Sequence, residues 1–407
     1  METKLSPLEK WTSLYDSDLR QLFFYILLKY NGTIDINRWA MAVRRSINKY
    51  DWFKNFINNN NRWVQGEFGT KCLFRSFADP FSFFNEKVDI HKAPLFRIGI
   101  SDNDIIFKFH HLITDARGAS CLIKSIISNY NEYGEEEPLK GEQIDSASNG
   151  AASYLAGSLM RWLKNLFYRS DKIYCLQYKN WGKPGYIYLT INRGDVLLLK
   201  QFAKENGCTV NDVFIAILYL AIKDWNSKWG KSADKINLSI PINFKSTYGY
   251  RNQFNVISLD LSGVGSDIGI SEVGRKISTK MSSIKKNRGD NSIFNLLTNM
   301  PLAIGKVAIN SDLFSTTTAF SNLGIFSDSQ LKLGTTPITG VHFFMGIHPP
   351  RSICFASVGY DGEVSLGISY DDKCWDKRLL VAFVDGLIKN ITATLGKDYS
   401  KIPKRFL

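Results

Sequence analysis

A chain of 407 residues is longer than one compact core commonly spans, so two lobes are expected. Its composition, 44% hydrophobic and 22% charged, is globular and excludes fibrous and low-complexity classes. A formal charge of +13 favours anionic partners, but the basic residues are scattered and no dense run marks a nucleic-acid tail.

From the N-terminus, "LRQLFFYILLKY" at 19–30 reads as a helix, followed by a turn at Asn31 and Gly32. A second helix lies in "DINRWAMAVRRSINKY", where Ile36, Trp39, Ala40, Val43 and Ile47 recur at helical spacing. Strands follow in "NRWVQGEF", "PLFRIGI" and "DIIFKFHH", the last alternating with period 2. The helix "ASCLIKSIISNYNEY" carries Leu122, Ile123, Ile126, Ile127 and Tyr130 on one side. Segment 134–153, acidic and aperiodic, reads as an exposed connector. The second half repeats the alternation. Strand "YIYLTI" leads to helix "DVLLLKQFAKENG", stopped by Gly207. "TVNDVFIAILYLAIKDW" opens with a capping box of Thr209 and Asp212 and is apolar nearly all round, so it should be buried. Strands "INLSIPI" and "FNVISLDL", a basic helical stretch, and strands "AFSNLGIF", "VHFFMGI", "SICFASVGY" and "EVSLGISYD" complete the pattern. The last two form a hairpin turning at Asp361 and Gly362. The class is α+β, with an N-terminal lobe over 1–150, a crossover or linker over 151–184 and a C-terminal lobe over 185–407.

The cysteines (Cys72, Cys121, Cys175, Cys208, Cys354 and Cys374) form no CxxC pair, so neither a disulfide framework nor a zinc site is expected. The chain begins without a signal-peptide profile, and its longest apolar runs fall short of the ~20 residues of a membrane-spanning helix. A soluble, cytoplasmic protein is therefore expected. Segment 153–169, "SYLAGSLMRWLKNLFYR", places Leu155, Leu159, Trp162, Leu163 and Leu166 on one helical face. It has two readings: a crossover helix covering a lobe, the commoner origin of such a stripe, or an interfacial helix making a peripheral contact with the inner face of a membrane.

The stretch "FKFHHLITDARG" at 107–118 holds two of the chain's five histidines. Alternation puts Ile105, Phe107, Phe109 and His111 on one face of a strand and Lys108 and His110 on the other. The histidines then do not share a site, which argues against a two-histidine metal clamp, and no metal is expected. A purely structural reading makes this a strand end with two hydrogen-bonded histidines and an aspartate, Asp115, capping the next helix. His348, just before Pro349 and Pro350, reads as a surface loop residue.

"HHLITDA" at 110–116 resembles the HHxxxDG signature of the chloramphenicol acetyltransferase-like superfamily. That group includes peptide-synthetase condensation domains, wax ester synthases, alcohol acetyltransferases and polyketide-associated acyltransferases. The resemblance runs over most of the chain. "APLFRIGI" is similar to their PLFR strand, "DINRWAMAVRRSINKYDWFK" to their second helix, and "TVNDVFIAILYLAI" with "LSIPINF" to the helix and strand opening their second lobe. "NQFNVISLDL" resembles their G-x-F-x-N strand and "FSNLGIF" their Ser-Asn segment.

This resemblance implies two similar lobes in a V-shaped pseudo-dimer with a tunnel between them. His111 would be the catalytic base, taking a proton from an acceptor hydroxyl or amine as it attacks a thioester carbonyl, with no covalent acyl-enzyme. His110 would be its structural neighbour. Asp115 would be a brace paired with a cation, either Lys54 or Arg97. Ala116 stands where the family has glycine and would narrow the channel, with Gly118 taking over some flexibility. Asn255 and Ser321 or Asn322 would be tunnel or oxyanion donors, with local hydrogen bonding as their other reading.

The expected activity is transfer of an acyl group from coenzyme A or a phosphopantetheine carrier to a small-molecule or lipid-like alcohol or amine. No permanently bound cofactor is expected, since the thioester is a co-substrate, and the partner is acyl-CoA or an acyl carrier protein rather than nucleic acid. The alternatives are amide-forming condensation and a non-catalytic module that binds a carrier protein or lipid.

Overall fold

The computed structural model describes residues 2–6, 9–10, 12–13, 16, 21–69, 73–77, 80–132, 170–178, 181–243, 254–265, 268–286, 316–397 and 404–407. The expected connector at 134–153, the amphipathic stretch at 153–169 and most of the lobe boundary at 151–184 lie outside the described residues.

The first sheet has six strands in the order β12-β13-β2-β7-β6-β5. They are β2 (Phe23–Tyr30), β5 (Phe74–Ser76), β6 (Phe96–Ile100), β7 (Asp104–His110), β12 (Lys332–Leu333) and β13 (Thr336–Met345). Phe23–Tyr30, within the "LRQLFFYILLKY" segment, is thus a strand and not the expected helix. β2 lies between β7 and β13, antiparallel to both, and every residue in it but Lys29 is buried. A strand covered on both faces reads as an unbroken apolar run, which periodicity does not separate from a buried helix. β12 and β13 come from the second half of the chain, Lys332 following His110 by 222 positions, so the first sheet is completed across the expected division of lobes.

Two helices cover one face of this sheet: α1 (Ile36–Lys49) and α3 (Ala116–Asn131). α1 starts where Asp35 accepts from the amides of Asn37 and Arg38, and buries Trp39, Ala42, Val43, Ser46 and Ile47. Ile36, expected on the buried stripe, is 54% exposed because it occupies the first helical position, outside the packed turn. A short helix, α2 (Pro80–Phe84), and a small sheet of β1 (Thr3–Lys4), β3 (Asn55–Ile57) and β4 (Arg62–Gln65) flank the region.

The second sheet has seven strands in the order β10-β9-β11-β14-β15-β8-β16. They are β8 (Pro184–Ile191), β9 (Asn237–Asn243), β10 (Phe254–Asp260), β11 (Thr318–Ser327), β14 (Ile353–Tyr360), β15 (Glu363–Asp371) and β16 (Arg405–Phe406). The hairpin of β14 and β15 turns at Asp361 (φ 48°) and Gly362 (φ 79°), the left-handed pair that two-residue hairpins use. α4 (Arg193–Glu205), α5 (Val210–Lys228) and α7 (Lys377–Leu395) pack on one face, and α6 (Ile270–Lys286) against α5. α5 carries the expected Thr209–Asp212 capping box and is buried almost all round. Gly207, at φ 63°, follows the end of α4 as expected. α7 was not among the expected elements. No single helix among the described residues is long and apolar enough to cross a membrane.

Alternation along β8 sorts its side chains between two cores. Tyr186 and Tyr188 join the core of the first sheet, whereas Ile187, Leu189 and Ile191 join the helices behind the second. The sheets meet where Tyr186 packs on Tyr25 and Phe344, with ring centroids 5.2 and 5.5 Å apart. Burying aromatic surface of this size supplies about 1.5–3 kcal/mol per side chain.

Candidate functional site

The site is built at the end of β7, where the strand gives way to the turn that opens α3. Phe109 stacks on Phe24 at 5.5 Å, and the His111 ring lies 4.6 Å from the same Phe24 ring. Lys108 and His110 contact Phe23 instead, the lysine 4.2 Å above the ring and the histidine edge-on at 5.2 Å. Strand alternation therefore separates the two histidines as expected, and their rings have different neighbours.

His110 is fully buried and held at both nitrogens. Its Nδ1 accepts from the Leu112 amide at 3.1 Å, and its Nε2 meets Asp16 Oδ1 at 2.9 Å. His111 is half-buried, with Nδ1 turned inward. Its amide donates to Leu22 O at 2.7 Å, fixing the residue to the strand beside it. Burial, and then the neighbouring His110, lower the His111 pKa from 6.5 to about 3, so the imidazole is neutral at working pH.

Asp115 is the N-cap of α3, accepting from Arg117 N at 3.1 Å and Gly118 N at 2.9 Å. This is the cap of the purely structural reading, an arrangement worth about 1 kcal/mol. Of its two candidate cations, Lys54 pairs with Asp51 at 2.7 Å. Arg97 lies 3.7 Å from Glu86 and donates to the Pro94 and Phe96 carbonyls at 2.5 and 2.9 Å. Ala116 and Gly118 both sit in the first turn of α3, and neither takes a left-handed backbone. The flexibility expected of Gly118 gives way to a role in the cap, where its amide is one of the two donors. Trp52 secures the turn from the other side, donating from Nε1 to Ile113 O at 2.6 Å.

The second-half candidates divide. Asn255 lies on β10 opposite Ile242. Ser321 is half-buried on β11. Asn322 is exposed and marks a bulge: it accepts from Gly324 N at 2.8 Å and donates to Asn211 at 3.1 Å. The first of these bonds is that of the local reading, whereas the second reaches Asn211 on α5, 111 residues away in the chain.

Three groups escaped the sequence reading. Asp16 lies 94 residues before its partner His110, and nothing local marks it. Lys108, 1% exposed, donates to the carbonyls of Phe84 (3.0 Å) and Glu86; burial is the main cause lowering its pKa to about 7. A lone lysine in an apolar strand was a visible signal. Finally, His342 on β13 bonds Ser365 on β15 at 2.7 Å and lies 3.7 Å from the Tyr188 ring, which joins the two sheets. His348, expected on the surface, is only 6% exposed because its loop folds inward after β13.

His342 predicts acid lability. Burial first, then Lys29 and Arg405, lower its pKa from 6.5 to about 3. The unfolded chain takes up a proton near pH 6.5 that the folded chain refuses, so the stability is present above that pH and is lost as pH falls toward 3. Denaturant titrations should show a loss on the order of 2 kcal/mol between pH 7 and pH 5 from this group. His342→Asn should flatten that slope; an unchanged slope would remove His342 as its source.

No family model matches the chain. An uncharacterized protein of Mycobacterium tuberculosis is 26% identical over 247 residues, 53% of this chain and 56% of that protein, so the chain spans about half the length of the curated relatives it matches. Among solved structures, the TRI3 trichothecene 15-O-acetyltransferase from Fusarium sporotrichioides aligns with a TM-score of 0.74 at 10% identity, over 97% of this chain and 95% of that one. The epimerization domain from the third module of tyrocidine synthetase B aligns with a TM-score of 0.67 at 14% identity, over 97% and 96%. The chain therefore shares the α+β fold of these two structures.

Proposed function

We propose that the protein is an acyltransferase that moves an acyl group from a thioester, acyl-CoA or an acyl carrier protein, to an alcohol or amine. The observation that carries this reading is the division of labour at the end of β7. His110 is committed to Asp16 and the Leu112 amide, whereas His111 is half-buried, neutral and fixed by its own backbone against Phe24. A neutral imidazole is the form a general base needs. It would take the proton of the acceptor as that atom attacks the thioester carbonyl, and return it to the departing thiolate. The positive net charge suits either donor, because both carry phosphate.

An O-acyl acceptor is the first choice and an amine the second, with the lobe division at 151–184, the tunnel and the oxyanion roles of Asn255 and Ser321 belonging to the same proposal. The test is thiol release from a panel of acyl-CoA and acyl-phosphopantetheine donors, each with alcohols and amines. Acceptor-dependent release is expected from at least one pair. Donor binding with no release from any pair would favour the non-catalytic module.

A further inference from the structure

Both nitrogens of His110 are assigned by their surroundings. A backbone amide can only donate, so the Leu112 N–H at 3.1 Å requires a lone pair on Nδ1. The ring proton then belongs on Nε2, where Asp16 Oδ1 accepts it at 2.9 Å. The opposite tautomer would set the Nδ1 proton against the Leu112 amide and leave Nε2 facing a carboxylate with no proton between them. Both contacts are shielded: His110 is 0% and Asp16 12% exposed at the side chain, so water does little to soften that penalty.

Leu112 is the residue after His111, and the His111 amide is itself tied to Leu22 O at 2.7 Å. Ile113 N closes the same turn on His110 O at 3.1 Å. The peptide units on both sides of His111 are therefore held, one by Leu22, just before β2, and one by the His110 ring. Only the second depends on a choice of tautomer.

We propose that Asp16 is a positioning residue for the acyl-transfer base: by selecting the Nε2–H tautomer of His110 it locks the Leu112 amide and so aims the His111 imidazole. Asp16 acts through His110 and touches no substrate. This inference rests on the proposed function for its kinetic consequence and on hydrogen bonding alone for its structural one.

The two are read separately. With histidine labelled in ¹⁵N, long-range ¹H–¹⁵N correlations should show His110 as a single Nε2–H tautomer in the full chain. In Asp16→Ala only the Leu112 amide still favours that tautomer, so an Nδ1–H population should appear beside it. With the best donor and acceptor pair, kcat should fall about 10- to 100-fold while KM for the donor stays within about twofold, as expected for a base moved by an ångström or less. Asp16→Asn keeps an oxygen acceptor and should restore the single tautomer and most of kcat. Asp16→Leu, which fills similar volume without an acceptor, replaces the alanine variant if that one fails to fold. A single Nε2–H tautomer in the alanine or leucine variant overturns the proposal, as does a wild-type kcat. If the wild-type chain turns over no donor at all, the acyltransferase reading fails, and the tautomer measurement still decides whether Asp16 sets His110.

Discussion

His111→Ala should lower acceptor-dependent thiol release by about 10²- to 10⁴-fold, the span that a positioned general base contributes. The fold should survive, because the histidine stands past the last residue of β7 and its strand contact runs through its backbone amide to Leu22. The pH dependence carries a sharper consequence. A histidine at its ordinary value would lose half its neutral form near pH 6.5. Burial and His110 lower His111 to about 3, so kcat/KM of the unliganded enzyme should hold level down to pH 5. An imidazole so reluctant to charge needs help in the transition state, and the developing negative charge on the thioester oxygen supplies it at close range. Thiol release that persists in His111→Ala, or a rate that halves near pH 6.5 in the wild type, would count against His111 as the base.

In "FKFHHLITDARG" the placement of His110 and His111 on opposite sides is legible from sequence because it follows a local rule. Alternation along a strand is fixed by the backbone, so assigning His110 and His111 to opposite faces required no tertiary knowledge. The cap at Asp115 was equally local, since an aspartate three residues before a buried glycine amide at a helix start is its own signal. The misreading of β2 is non-local. β2 was mistaken for a helix because its partners, β7 and β13, lie about 80 and 310 residues away in the chain, and only they explain why both of its faces are apolar. Asp16 and the His342–Ser365 bond went unnoticed for the same reason. β13 also shows how sequence order misleads about lobes: a strand of the second half lies beside β2 of the first.

Gly367→Ala should be among the most destabilising single-methyl changes in the molecule. Gly367 lies inside β15, paired with Ala356 on one side and Tyr188 on the other, where a strand ordinarily favours a side chain. A methyl group there would lie 2.2 Å from Phe343 O and 2.9 Å from the Phe344 ring, both on β13. The nearest obstacle is backbone, and β13 is hydrogen-bonded to β2 along its length, so it does not move aside as a side-chain tip would. Relief requires parting the two sheets. That movement would strain the His342–Ser365 bond and the stacking of Tyr188 on His342 in the same seam. Overpacking of this kind costs about 1–3 kcal/mol, and a backbone obstacle puts the expected loss near 3 kcal/mol, a large share of the 5–15 kcal/mol typical of whole domains. Urea titration of the variant measures it. A loss under about 1 kcal/mol would mean that the sheets separate easily and that the seam does not hold them in register. In that event the positions of His110 and His111, at the end of β7 two strands in from β13, would be set by the first sheet alone. A full loss instead ties the site to the seam: the second sheet, through Gly367, fixes β13; β13 fixes β2; and the residue leading β2, Leu22, holds the amide of His111.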